Sequence, residues 1–219
     1  MPPRARWVVL TVLVVVLGLT VWAAGQRGEP LTAGSERLGP GAGERVADYL
    51  QQAERSLPPG NSGPVWALVQ LDTYLTASPA AELAQGVRLS KVIIRVPFPR
   101  IQTALISRDL PGQRPAAELT EAFRSAAQDR AAVASRLHGR RAALAAAEAA
   151  QLRTGCACVV ALLVFGNGDA LRVVAARPGV RAVHAALPDT SIQDLAISPL
   201  LPEQLESAEP VPDDGPVPP

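Results

Sequence analysis

The chain has 219 residues, a formal net charge of +1 and only 4% aromatic residues. So balanced a charge offers no field for nucleic acid or another highly charged partner, and so few rings argue against a base-stacking platform or a carbohydrate-binding face. Of the 21 basic residues only Lys91 is a lysine, which with the excess of Ala, Pro, Gly and Val marks a GC-rich genome rather than a chemistry.

From Trp7 to Ala24 the sequence "WVVLTVLVVVLGLTVWAA" is uncharged, and as a helix it reaches about 27 Å, enough to span a thin bilayer. Arg4 and Arg6 precede it, and Trp7 and Trp22 sit where amphipathic rings favour the interface. The positive-inside rule then predicts cytoplasmic residues 1–6, a single transmembrane helix at 7–24, and everything beyond on the outer side of the cell membrane. A cleaved signal peptide is the alternative, and the length of the apolar run argues for the anchor. Residues 25–43, rich in Gly and Pro, read as a flexible linker that holds the rest off the bilayer.

Residues 44–201 are sized for one extracytoplasmic domain with one core. Pro64 to Thr76 has the β-branched and aromatic content of a strand. A short helix capped by Ser78 and stopped by Gly86 follows. Val87 to Phe98 reads as the next strand, ended by Pro97 and Pro99, and "IQTALISRDL" as a further short one. From Pro115 to Arg153 apolar residues recur at helical spacing through Leu119, Phe123, Ala126, Val133, Leu137 and Leu144; the phase survives Gly139, which favours one long amphipathic helix with a weak point there over a helical hairpin. Cys156 to Phe165 then reads as a strand, Asp169 to Arg177 as a helix capped by Asp169, and Val180 to Leu187 as the last strand after a turn at Pro178 and Gly179. The order β-α-β, long helix, β-α-β predicts an α+β fold, a ferredoxin-like βαβ-βαβ sandwich with a long inserted helix and with its helices on one face. Residues 202–219, acidic and Pro-rich, read as a disordered tail.

Outside the membrane a small, even cysteine count is read first as a bridge, so Cys156 and Cys158 form a candidate disulfide. In an extended strand their Cα atoms would lie ~6.6 Å apart, so a bond needs local bending, for which Gly155 stands ready. Thiols that fill core space, or a metal or redox role, are the competing readings. A zinc site would have to recruit His138 and His184, the only imidazoles in the chain. The sequence contains no phosphate loop, no H-E-x-x-H and no G-x-S-x-G. "GNGDAL" reads as a helix cap, His138 as a solvated position, His184 as a mid-strand residue, and Asp72 with Tyr74 as one face of a sheet. No catalytic residue, cofactor or metal is therefore assigned.

The anchor together with "LDTYLTASPAAELAQGVRLSKVIIRVP", "GCACVVALLV", "LRVVAARPGVRAVHAA" and "SPLLPEQ" resembles a group of small membrane-anchored exported proteins of high-GC Gram-positive bacteria, the actinobacteria. That resemblance brings no activity with it. "LRVVAARPGVRAVHAALPD" is also similar, in miniature, to the helix-turn-strand of subtilisin propeptide-like inhibitor domains. The expectation is a non-enzymatic, membrane-anchored domain that binds another envelope protein; the alternative is a protease inhibitor or propeptide-like chaperone acting through its last strand and tail.

Overall fold

The structure, a computed structural model, describes residues 36–218. The expected residues 1–6, the transmembrane segment at 7–24 and most of the 25–43 linker lie outside the described residues. Among those described, no helix is long and apolar enough to cross a membrane.

In chain order the elements are β1 (Glu36–Leu38), α1 (Val46–Ser56), β2 (Val65–Leu75), α2 (Ala77–Leu83), β3 (Arg88–Ile94), β4 (Ile106–Asp109), α3 (Pro115–Ala134), α4 (Gly139–Arg153), β5 (Val159–Gly166), α5 (Gly168–Ala175), β6 (Val180–Ala185), a 3₁₀ turn (Ile192–Asp194) and β7 (Leu195–Ile197). They form an α+β fold around a five-stranded sheet ordered β4-β3-β5-β2-β6. Every neighbouring pair in it is antiparallel. The most apolar strand, β5, takes the centre, because "VVALLVFG" can face a core on both sides. Val159, Leu162 and Val164 pack on one face and Val160 and Leu163 on the other.

β2 and β3 both run antiparallel to β5, and β5 and β6 both run antiparallel to β2. Each β-α-β unit therefore holds its own strands parallel, with one strand of the other unit between them. Helices α2 to α5 cover one face, where Ala80, Leu119, Phe123, Leu152, Leu171 and Val174 meet Val69, Leu89, Val92 and Ile94. Between the units lies an insertion that supplies β4, α3 and α4.

The opposite face carries a second layer absent from the sequence reading. β1 and β7 pair in parallel, Glu36 opposite Leu195 and Leu38 opposite Ile197. They lay Leu38, Leu195 and Ile197 over Leu68, Ile93 and Leu163. β1 thus falls inside the stretch read as linker. α1 packs Val46, Tyr49 and Ala53 against Leu200 beside β6.

The insertion departs from one long helix. Residues 135–138 separate α3 from α4, and Gly139 has φ +59°, a left-handed conformation that glycine adopts without a Cβ penalty. The two helices fold back on each other. Glu148, with no solvent exposure, accepts from Arg130 Nε at 2.7 Å and from the Ala104 backbone N–H at 2.9 Å. Arg130 and Ala104 thereby offset the cost of burying its charge. Ala126, Ala127, Ala145 and Ala149 are all buried, and such small side chains let helices approach closely. The apolar phase ran on through Gly139 because each half turns its own stripe inward.

Other boundaries also move. The cap of α2 is Thr76 rather than Ser78, and that of α5 is Asn167, whose side chain accepts from the Ala170 N–H at 2.9 Å, with Asp169 in the first turn. β5 begins at Val159, three residues after Cys156. The segment from Pro202, for which composition predicts disorder, follows the domain surface. Arg95, itself 2% exposed, donates to Glu203 Oε1 at 2.6 Å, to the Tyr74 hydroxyl and to the Ile101 carbonyl. Farther on, Arg100 pairs with Asp214, Gln102 donates to the Val211 carbonyl, and the Gly215 N–H donates to the Arg100 carbonyl at 2.8 Å. Buried arginine and free backbone carbonyls give this Pro-rich strap the polar partners that its low apolar content cannot replace.

Candidate functional site

β6 forms one edge of the sheet, with β2 on its inner side. The Ala186 N–H donates to the Trp66 carbonyl at 2.8 Å, and hydrogen bonding along an antiparallel pair alternates. Ala182 and His184 therefore direct their backbone groups to β2, while Val183 and Ala185 direct theirs outward. The outward N–H of Ala185 is taken by Ser56 Oγ at 2.8 Å. Beyond that closed end, α1 and α5 diverge on either side of β6. They leave a groove of about 470 Å³ whose lining includes Leu50, Leu57, Ala175, Ala176, Ala182 and Val183.

The lining also carries polar groups, Gln51 and Glu54 on α1 and Arg172 and Arg181 opposite. Arg172 donates to the Gly168 carbonyl at 3.2 Å, and Arg181 to the carbonyls of Leu201 and Gln204 at 3.2 and 2.7 Å. Burial lowers the Arg181 guanidinium from its ordinary range, against the pull of Asp72 and the Tyr49 hydroxyl. Arg172, Arg181 and Glu54 thus line the same groove as its apolar residues.

Behind the groove lies a buried polar cluster. Gln70 is fully buried; its Nε2 donates to the Tyr49 hydroxyl at 2.9 Å and its Oε1 accepts from the Leu200 N–H at 3.0 Å. Burial raises the Tyr49 hydroxyl to about 12, opposed by the Gln70 bond. His184 is 5% exposed, stands edge-on to Tyr49 with ring centroids 5.6 Å apart, and accepts from the Gly39 N–H on Nδ1 at 3.1 Å. Burial holds this imidazole below its usual range, although Glu36 and Glu44 pull the other way. The cluster fastens α1, β2, β6 and the segment after β1 to one another.

The residues singled out from sequence fall in separate places. Cys156 and Cys158 have their sulfurs at disulfide distance, with Cα atoms 5.3 Å apart. The bend that brings them together comes at the end of α4, where Gly155 has φ +72°. His138 is exposed in the cap position of α4, away from the α1 cluster that holds His184. Asp72 is exposed, and Tyr74 belongs to the Arg95–Glu203 cluster, where burial raises its hydroxyl well above the usual range. Among the described residues no three His, Cys, Asp or Glu side chains are grouped so as to hold a metal.

Sequence reasoning passed over α1, and with it one wall of the groove. The signal was there: Val46, Tyr49, Ala53 and Leu57 recur at spacings of three and four. No family model, no curated protein and no solved structure matches this chain.

Proposed function

We propose that the chain is a single-pass membrane protein whose extracytoplasmic domain has the ferredoxin-like βαβ-βαβ arrangement and binds an extended segment of another envelope protein, without catalysing a reaction. The order β6-β2-β5-β3, with its two interleaved β-α-β units, supports the fold. The observation that carries the binding reading is the groove along β6, where a sheet edge forms the floor between two helices. A strand edge recognises peptide backbone by ladder hydrogen bonds, and small apolar floor positions take alternate side chains of the incoming strand. Arg172 and Arg181 favour an acidic residue in that strand, and Glu54 restricts it to the side away from α1.

The inhibitor reading ranks second. It uses the tail, and from Glu203 to Gly215 that tail is tied to Arg95, Arg100, Gln102 and Arg140; it would have to detach to enter a protease.

A photo-crosslinking residue at Gln51, which lines the groove from α1, in the full chain and in intact cells, tests the binding reading. The expected product is one envelope protein joined through an extended acidic segment, lost when Ala176→Arg fills the groove. Capture of the same protein from Glu121, which lies on α3 and outside the groove lining, or capture that persists with Ala176→Arg, overturns the assignment.

A further inference from the structure

We propose that Cys156 and Cys158 are a thiol–disulfide exchange pair, in which Cys156 is the sulfur attacked by a thiol of another exported protein and Cys158 is the sulfur that leaves. This goes beyond peptide binding and does not need the β6 groove.

The bridge closes a ring that contains only Ala157. A loop that short removes little entropy from the unfolded chain, so stability gives weak reason for the bond. The surroundings hold the fold in place without it. The Cys158 N–H donates to the Leu75 carbonyl at 3.0 Å and its carbonyl accepts from the Arg95 N–H at 2.8 Å, which fixes it between β2 and β3. The Cys156 N–H donates to the Gln151 carbonyl at 3.3 Å and the Gly155 N–H to the Leu152 carbonyl at 3.2 Å, which closes the end of α4. All four are backbone hydrogen bonds, and none of them uses a sulfur.

The two sulfurs are also unequal. Cys158 is completely buried, whereas Cys156 is half-buried and flanked by exposed Gly155 and Ala157. Exchange rates follow access, so an incoming thiol is directed to Cys156. Beside Gly155 a recess of about 240 Å³ has Phe123, Leu152 and Ala77 in its lining, with Arg124 and Arg153 also at its wall. Arg124 is paired with Glu121, so Arg153 is the guanidinium there that attracts the thiolate that must make the attack.

The partner's thiolate forms a bond to Cys156 Sγ as the Cys156–Cys158 bond breaks. The electron pair goes to Cys158 Sγ, which takes up a proton, since an apolar enclosure disfavours a thiolate. A second thiol of the same partner then loses its proton and attacks the partner sulfur of the mixed disulfide, so that Cys156 leaves and is protonated. The partner's dithiol is oxidised by two electrons and the Cys156–Cys158 pair is reduced by two.

The test uses the full chain in detergent with a synthetic peptide that carries two reduced cysteines. Mass spectrometry should show one equivalent of peptide oxidised per bridge lost, with the melting transition of the reduced chain retained. With oxidised glutathione as probe, Cys158→Ala should gain one adduct at Cys156, and Cys156→Ala should gain its adduct at least about tenfold more slowly. The Ala176→Arg variant should exchange like the unaltered chain, which separates this proposal from the groove. A bridge that yields only in denaturant, equal adduct rates in the two variants, or loss of the melting transition on reduction would each overturn it.

Discussion

At His184 a side chain that can titrate near neutrality has been enclosed in a place that favours its neutral form. Its Nδ1 accepts a hydrogen bond from Gly39, which requires that nitrogen to be unprotonated. Burial lowers the imidazole from its ordinary value of 6.5, with Glu36 and Glu44 opposing. The unfolded chain therefore binds a proton at a higher pH than the folded one. By linkage, stability rises with pH in the window below that ordinary value and is lost as the solution is acidified through it. Urea midpoints at pH 7.5 and pH 5.5 should differ for the unaltered chain, and the difference should shrink in His184→Asn, whose carbonyl can still accept from Gly39. Glu118 titrates lower. Burial raises it, but N–H bonds from Arg114, Gly112 and Gln113 outweigh that and lower it overall, so its contribution is lost at more acidic pH. An unchanged difference in the variant would assign the slope to other groups.

Among the elements, the break between α3 and α4 gives the sharpest test. A Cβ on Gly139 would meet nothing within 4 Å, so a substitution there acts through backbone conformation alone. Gly139→Ala should destabilise by about 1 kcal/mol, the cost of a side chain in the left-handed region, seen as a lower urea midpoint with an unchanged slope. Stabilisation instead would mean that the hairpin gives way to a continuous helix.

The same elements show what could be read from residues alone. β5 is legible because "VVALLVFG" is apolar without alternation, which only a doubly covered strand requires. The two β-α-β units are legible from runs of β-branched residues set around short helices. The hairpin is not, since two helices folded together keep the same local phase as one. Nor are β1 and β7, three residues each, whose pairing depends on partners far along the chain. Of the groove, β6 and α5 were found and α1 was passed over despite its spacing. The cysteine pair was legible from composition, while its unequal burial required the packing of β5 against β2 and β3.

For the whole molecule the strap from Pro202 is the decisive feature, since it supplies the counter-charge of a buried arginine. The Arg95 side chain is 3% exposed and that of Glu203 38%. A chain ending at Leu201 leaves the guanidinium with the Tyr74 hydroxyl and one carbonyl. It should be less stable by about 2–4 kcal/mol, below the figure for a fully enclosed pair because Glu203 is partly solvated. Glu203→Gln, which keeps an acceptor, should lose less. Melting curves of the two variants check the order, and a truncated chain as stable as the full one would make the strap an ornament.

The pairing of β1 with β7 also sets a timetable. Glu36 accepts from the Leu187 N–H, 151 residues away, and Gly39 donates to His184, 145 residues away. A chain that leaves the ribosome N-terminus first has made Leu38 long before the strand that will cover it. Until β7 and Glu203 emerge, Leu68, Ile93 and Leu163 lack the β7 half of their second layer, and Arg95 lacks its carboxylate. Contacts so distant along the chain slow folding, and apolar surface left open meanwhile is where a nascent chain aggregates. The layer that closes the sheet is thus completed only when β7 joins β1, and the newborn protein must pass through a half-covered state.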